Sequence, residues 1–363
     1  MDRSQIDGWF RPNVRQMRPY VPGEQPQGGK FIKLNTNENP YPPSPAAVRA
    51  IQQAADGALV RYPDPLATAF RIQAAEVLGV DPEWILCGNG SDDILTIVTR
   101  ALVGEGDRLR MPTPSYILYR TLAEIQAAQV DEVPFAEGFQ LSPEFGRPHP
   151  RLRLAFLPNP NSPTGTVVPP EVIQEVAQRL PCPLLVDEAY ADFADVHCID
   201  LVRKDPRIMV SRTLSKSYGL AGLRFGFLIA QPPIIEMLRK VKDSYNCDVL
   251  AIAGATAAIA DQAWFAENRA KVIATRSRLH DGLRGLGFEV ITSYANFVWC
   301  THPQHASRSL YERLKADGVL VRYMDYPGWG DGLRISVGTD DQIDACLSLL
   351  AGYVAGGSGI QDL

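Results

Sequence analysis

The sequence lacks three things, and each absence excludes something. No apolar run approaches the ~20 residues of a membrane-spanning helix. The opening Met1-Asp-Arg-Ser-Gln does not read as a signal peptide either. A membrane span and secretion are therefore not expected. The six cysteines (Cys87, Cys182, Cys198, Cys247, Cys300 and Cys346) are scattered without a C-x-x-C pair. That spacing argues against a zinc site or a disulfide framework, so reduced thiols and a cytoplasmic setting are expected. A surplus of basic residues is also missing. There are 36 basic and 41 acidic residues, a net charge of -5, which gives no support for a nucleic-acid or anionic-membrane partner. Internal repeats and low-complexity blocks are absent too. What remains is ordinary for a soluble globular chain: 363 residues, 45% hydrophobic and 21% charged. That length suits about two domains.

Residues 1–45 are rich in proline, glycine and asparagine, and little regular structure is expected in them. Tyr20-Val-Pro-Gly and Pro40-Tyr-Pro-Pro-Ser-Pro45 read as loop or extended chain. Such an arm usually lies over another surface, a second subunit or the mouth of a site. Helices are expected from Ala46 and over Ala67 to Leu78, the second ended by Gly79. Trp84 to Cys87 reads as a strand that turns through Gly88-Asn-Gly-Ser-Asp-Asp93 into an apolar helix, Ile94 to Leu102. Short apolar runs then recur at Leu109–Met111, Val130–Phe135, Leu152–Leu157, Leu184–Val186, Ile208–Val210 and Phe227–Ile229. Helix-period segments such as Tyr116–Ala127 and Pro170–Leu180 lie between them. Strands alternating with helices argue for an α/β fold, a mainly parallel sheet with helices on both faces. A helix is expected from Pro232 to Val241, then a helix-rich stretch to about Leu286. Beyond it, Phe288-Glu-Val-Ile, Phe297-Val-Trp, Val319-Leu-Val-Arg322 and Leu333-Arg-Ile-Ser-Val read as strands of a smaller layer. Helices Ala306–Asp317 and Asp340–Leu350 accompany them. The expected division is a large domain, 46–285, and a small one made of 1–45 plus 286–363. The tail from Gly356 is expected to fray.

Polar chemistry gathers in Thr213-Leu-Ser-Lys216-Ser-Tyr-Gly-Leu-Ala-Gly-Leu-Arg224-Phe-Gly226. Three hydroxyls (Thr213, Ser215, Ser217) and two cations (Lys216, Arg224) in so short a span suit a phosphorylated ligand. Gly219, Gly222 and Gly226 keep the backbone close and adaptable. A cationic neighbour and partial burial would favour the neutral amine that a nucleophilic lysine needs. A solvated loop lysine fits this segment alone equally well. Gly88-Asn-Gly-Ser91-Asp92 lies between a strand and a helix, where backbone N–H groups bind phosphate. It is no dinucleotide fingerprint, because Asp93 stands where the third glycine would fall. A plain N-cap at Ser91 or Asp92 is the alternative. Leu185-Val-Asp187-Glu188-Ala-Tyr190 sets two acids after a strand. The carboxyl end of a parallel strand faces a ligand crevice. A buried Asp187 would want a cation such as a protonated ring nitrogen; a turn or cap aspartate would not. Asn159-Pro-Asn161-Ser-Pro-Thr-Gly165 follows another strand, and its turn formers fix the amides in space. A tight loop would look the same.

The order of these segments is more specific than any one of them. In that order the chain resembles the fold-type-I, pyridoxal-phosphate-dependent aminotransferases, and within them most of all the histidinol-phosphate aminotransferase family. The resemblance covers nearly the whole chain. It includes Asn13-Val-Arg, Pro19-Tyr20, Leu34-Asn-Thr-Asn-Glu-Asn-Pro-Tyr41, Arg61-Tyr62-Pro63 and Leu333-Arg334-Ile-Ser-Val-Gly338. It implies pyridoxal 5'-phosphate as cofactor, with Lys216 bonding it and shuttling a proton at the substrate Cα. Asp187 would pair with the ring nitrogen, Tyr190 would bond the phenolic oxygen and Tyr116 would stack on the ring. The backbone at Ser91 and Asp92, with Thr213, Ser215 and Arg224, would hold the phosphate. Tyr62 would reach that phosphate from a neighbouring subunit, which implies a homodimer. Arg334 would grip the substrate's anionic group, with Arg322 and Tyr20 brought over the cofactor beside it. No metal is implied. There is one departure: the family's asparagine stands immediately before Pro-Thr-Gly, and here that place is Ser162. Either the loop shifts to present Asn161, which we expect, or the serine hydroxyl substitutes.

The implied reaction moves an amino group between histidinol phosphate and 2-oxoglutarate, giving imidazole acetol phosphate and glutamate, in histidine biosynthesis. Two alternatives keep the cofactor and change the substrate: an aromatic amino-acid aminotransferase, and a decarboxylase of a phosphorylated amino acid such as threonine phosphate. A catalytically silent, cofactor-binding regulatory module is a more distant alternative, because Lys216 and Asp187 are both present.

Overall fold

The computed structural model describes residues 6–18, 24, 31–57 and 59–356. Its strands, in chain order, are β1 (Ile32–Lys33), β2 (Ile85–Gly88), β3 (Arg108–Thr113), β4 (Gln129–Pro134), β5 (Leu152–Pro158), β6 (Leu184–Asp187) and β7 (Ile208–Thr213). There follow β8 (Gly226–Ile229), β9 (Glu289–Val290), β10 (Phe297–Thr301), β11 (Val319–Leu320), β12 (Arg322–Tyr326) and β13 (Gly330–Ser336). Seven of them form the central sheet in the order β2-β8-β7-β6-β5-β3-β4. It is parallel except for β8, which runs antiparallel to both β2 and β7.

Both faces of this sheet are buried, which is why its strands read as unbroken apolar runs. Along β5, Ala155 and Leu157 join one core while Leu154 and Phe156 join the other; along β6, Leu184 and Val186 oppose Leu185. One face is covered by helices Thr68–Leu78, Pro170–Arg179 and Val249–Ala260, through Phe70, Ile173 and Ala251. The other is covered by Ser91–Leu102, Leu118–Ile125 and Pro232–Arg239, through Ile94, Leu122 and Ile235. Local chemistry sets the helix ends. Gly79 closes Thr68–Leu78 in the left-handed region at φ 64°. Asp248 caps Val249–Ala260 through the Ala251 N–H, and Thr339 forms a capping box with Gln342 on Asp340–Ala355.

The smaller layer is a four-stranded antiparallel sheet, β12-β13-β10-β9, beside a parallel pair, β1-β11. Its core joins Leu34 of the N-terminal arm to Val298, Leu310, Ile335 and Leu350. The helix-rich stretch expected to about Leu286 ends with the long helix Gln262–Gly285, whose Leu279 and Leu283 pack in this smaller core.

Two expectations change. The run from Val319 to Arg322 is not one strand. It breaks at buried Val321, so that β11 pairs with β1 while β12 pairs with β13. The arm is also less irregular than its composition suggests. Pro12–Gln16 forms a short helix whose Asn13 Nδ2 donates to the carbonyls of Glu124 (2.7 Å) and Ile125 (3.2 Å). Those carbonyls belong to the last turn of Leu118–Ile125, where that of Glu124 also accepts from the Ala127 N–H at 3.0 Å.

Candidate active site

A cavity of about 1190 Å³ lies at the carboxyl ends of β5, β6 and β7, where Pro158, Asp187 and Thr213 line it. This is the edge at which parallel sheets bind ligands. The start of helix Ser91–Leu102, residues 35–38 of the arm, and Arg322 and Arg334 of the smaller layer complete the wall. All the described site residues expected from the sequence line it except Asn161 and Tyr62.

The phosphate-sized end is built on close backbone approach. The N-cap of Ser91–Leu102 is Gly90 at φ 87°, not Ser91 or Asp92, so those two residues open the helix and their N–H groups have no acceptor within it. A Cβ at residue 226 would lie 2.5 Å from the Ser91 nitrogen, and one at residue 90 would lie 2.7 Å from Arg224 Nη2. Glycine at both positions lets the helix start, the strand end and the guanidinium converge. Thr213 donates from its hydroxyl to Ser215 Oγ at 3.0 Å beside them. Arg224 meets Asp92 at 3.6 Å, both about half exposed, an ion pair of little worth to stability and easily exchanged for an anion. This donor set, at a helix N-terminus, fits a phosphate group.

Asp187 fits a protonated ring nitrogen. It ends β6, buried, and accepts from Tyr119 Oη at 2.7 Å, Ser211 Oγ at 3.1 Å and the Ala189 N–H at 3.3 Å. Burial pushes its carboxyl up to about 6, against the pull of Tyr119 and Ser211 in the other direction; Asp92 adds to the rise. A cation against it would relieve that burial. Its neighbour Glu188 does not share the cavity. It turns away into a buried pair with Arg212 (2.7 Å), which also holds Asp192 at 2.7 Å. Asp192 in turn accepts from the Ser217 hydroxyl, tying this segment to the lysine loop.

Lys216 is held from the arm. Asn39 Nδ2 donates to the carbonyls of Lys216 and Ser217, both at 2.9 Å, and Lys216 Nζ donates to the Thr36 carbonyl at 3.3 Å. The amine lies 5.8 Å from the centre of the Tyr190 ring. Tyr190 Oη accepts from Asn37 Nδ2 at 2.9 Å, which leaves its own proton to give. Tyr116 lines the cavity near Asp92, 3.3 Å from its Oδ1.

Arg334 Nη1 donates to Ser162 Oγ at 3.1 Å, and Nη2 to the Asn35 carbonyl at 3.0 Å. Arg322 stands opposite Arg334 in the β12–β13 register, so both side chains belong to one face of that sheet.

Two of the described residues expected here are not gathered in the cavity. Asn161 is a correction. It is buried, and its Nδ2 donates to the Pro114 carbonyl (3.2 Å) and Thr164 Oγ1 (2.9 Å), while its Oδ1 has no partner among the described residues. Ser162 lines the cavity in its place. Tyr62 is 81% exposed and stacks on Tyr245 at 4.6 Å, outside the cavity of its own chain. Tyr20 lies outside the described residues. Sequence reasoning also missed Tyr119, Ser211, Asn37 and Asn39. The arm's asparagines, spaced by two in Leu34-Asn-Thr-Asn-Glu-Asn-Pro, were a usable signal for the last pair. Tyr119, on an apolar helix face, carried none.

The class I and II aminotransferase family model matches residues 29–350. A histidinol-phosphate aminotransferase from Rhodopirellula baltica is 60% identical over 342 residues, 94% of each chain. Histidinol-phosphate aminotransferase 1 of Trichormus variabilis is 47% identical over 343 residues, 93% of this chain and 96% of that one. The crystal structure of a Sinorhizobium meliloti histidinol-phosphate aminotransferase in complex with pyridoxal-5'-phosphate matches with a TM-score of 0.88 at 27% identity, over 96% of this chain and 98% of that one. A mutant aspartate aminotransferase of Thermus thermophilus, at 22% identity and a TM-score of 0.82 over 94% and 99% of the two chains, shares the fold. With a cavity whose donors fit a phosphate and whose Asp187 carboxylate would accept from a protonated ring nitrogen, the chain belongs to the class I and II aminotransferases, in the histidinol-phosphate aminotransferase family, and is a pyridoxal-phosphate-dependent transaminase.

Proposed function

We propose that this enzyme moves the amino group from histidinol phosphate to 2-oxoglutarate, a step of histidine biosynthesis. The names of the relatives at 60% and 47% identity support that substrate. The observation that carries it is the pairing of Arg322 with Arg334 across the β12–β13 ladder on the cavity wall. An ordinary amino donor brings one carboxylate, whereas histidinol phosphate brings a dianionic phosphate and 2-oxoglutarate two carboxylates. Two planar guanidinium groups suit both, since each accepts an anion in a bidentate manner.

When bound, pyridoxal phosphate supplies an aldehyde that takes the amino group and a ring that withdraws electrons from the carbon losing its proton. The chain's residues do the rest. The Ser91 and Asp92 N–H groups, Thr213, Ser215 and Arg224 bind the phosphate. Asp187 holds a proton on the ring nitrogen, and Tyr190 donates to the phenolic oxygen. Tyr116 packs on the ring face. Lys216 supplies the amine that bonds the cofactor and moves the proton at the substrate Cα. Ser162 lines the wall where the family carries asparagine, and it holds Arg334. The arm with residues 286–363 forms the small unit that closes over residues 46–285 and excludes water. The active unit is a homodimer in which exposed Tyr62 reaches the partner's phosphate end. The setting is cytoplasmic; no single described helix is long and apolar enough to cross a membrane.

A donor screen tests this reading. Purified enzyme loaded with cofactor is mixed with histidinol phosphate, phenylalanine, tyrosine or threonine phosphate, and the visible absorbance of the bound cofactor is followed. Histidinol phosphate should discharge it fastest, and 2-oxoglutarate should restore it. Fast discharge by the aromatic donors with histidinol phosphate inert, or carbon dioxide release from threonine phosphate, would overturn the assignment.

A further inference from the structure

Tyr119 is the second residue of helix Leu118–Ile125 and is fully buried. A tyrosine on the apolar face of a helix is ordinarily core filler whose hydroxyl needs some partner, whichever it is. Here the partner is Asp187 Oδ2, at 2.7 Å. The ring is fixed on one side by Phe156 of β5, at 4.7 Å between centres, and meets Tyr116 edge-on at 5.6 Å. One side chain therefore backs both the carboxylate and the aromatic ring that face the cofactor.

We propose that Tyr119 is a positioning residue for the cofactor: its hydroxyl keeps Asp187 ionised and turned so that Oδ2 meets the ring nitrogen, while its ring sets the place of Tyr116. This rests on the reading of Asp187 given above. The geometry carries the argument. A carboxylate has about four lone-pair directions. Among the described residues, Oδ1 takes Ser211 and the Ala189 N–H, while Oδ2 takes Tyr119. With one partner against two, Oδ2 keeps the freer lone-pair directions of a carboxylate that lines the cavity. Tyr119 suits the task because burial and the Asp187 charge push its phenol well above the ordinary range, so it donates across the whole working pH range. Among the described residues, Asp92 at the start of Ser91–Leu102, Tyr116 and Tyr190 act on the pair, and Lys216, Arg120, Glu124 and Arg224 line the same cavity.

The test is a titration of apoenzyme with pyridoxal phosphate from about pH 5 to 8.5, read by intrinsic fluorescence. It compares wild type, Tyr119→Phe, Asp187→Asn and the double variant. Losing one donor to a charged group raises the Asp187 pKa, so the acid limb of cofactor affinity in Tyr119→Phe should move up by about one pH unit. Affinity should be about tenfold weaker on that limb and converge with wild type at high pH. Asp187→Asn and the double variant should superimpose, because the hydroxyl acts through the carboxylate. Coincident limbs for wild type and Tyr119→Phe, with only a lower melting temperature, would mean that Tyr119 merely fills the core and would overturn the proposal. So would a shift that persists with asparagine at 187. An Asp187→Asn limb identical to wild type would instead sink the pairing of Asp187 with the ring nitrogen. Should Tyr119→Phe fold poorly, Ser211→Ala removes an Oδ1 donor, and the same account requires its limb to move in the same direction.

Discussion

Asp187 and the Arg322–Arg334 pair face one cavity from two different sheets. Asp187 ends a strand whose two faces are buried, and its carboxylate takes donors from its own loop, from β7 and from a helix. The two arginines sit on a smaller antiparallel sheet and are only partly buried; Arg334 leans on a serine hydroxyl and an arm carbonyl. The contrast separates two tasks. The cofactor end is set in advance by the main core, so its geometry is the same for every substrate. On the proposed function, the substrate end rides on a layer built from the arm and the chain beyond residue 286, which would adjust to two different anions in the two half-reactions.

That contrast can be broken by substitution, and the largest effect should come from the cofactor end. Lys216→Ala should lose transamination by roughly 10⁴-fold or more, while pyridoxal phosphate still binds noncovalently; rates and equilibrium dialysis check both. Arg334→Leu should cost about 1.5–3 kcal/mol in kcat/KM with every donor, the scale of a charge-assisted hydrogen bond. Asp187→Asn tests how far the cofactor end is preset. Because burial raises the Asp187 pKa to about 6, this group favours the apo fold at low pH and loses that contribution as pH rises through about 6. The ionised form should cost apoenzyme roughly 3 kcal/mol at pH 8. Apo Asp187→Asn should therefore gain in melting temperature relative to wild type between pH 5 and 8, and cofactor should flatten the trend in wild type. Parallel melting curves across that range would contradict it. Ser162→Ala should have the smallest effect, about 0.5–1.5 kcal/mol in kcat/KM through Arg334. Asn161→Ala should lower stability and leave KM unchanged; the reverse pattern would restore Asn161 to the site.

Much of the fold is legible because the β-strands of a doubly covered sheet are short apolar runs and the helices between them are punctuated by Gly79, Pro170 and Pro232. Strand direction is not legible in that way: Phe227–Ile229 looks like its neighbours, yet β8 is antiparallel. Nor does the run Val319–Arg322 reveal its break at Val321, which depends on which partner each half finds. In the site, residues that point into the cavity from strand ends were found, because polarity after an apolar run marks a crevice. Those that act through another residue were not. Tyr119 looks like core packing, and Asn37 and Asn39 look like loop formers until Tyr190 and Lys216 are folded against them. Asn161 and Ser162 are adjacent, and only the course of the loop decides which one faces the cavity.

The most direct test of the two-task account is steady-state kinetics of Arg322→Leu with histidinol phosphate and with phenylalanine or tyrosine as donors. If Arg322 reads the phosphate, the KM for histidinol phosphate should rise by roughly tenfold or more, the scale of a lost contact to a charged group, while the aromatic donors change little. Equal effects on both donor types, or none on either, would contradict a phosphate-reading arginine on the smaller layer and favour an aromatic donor instead.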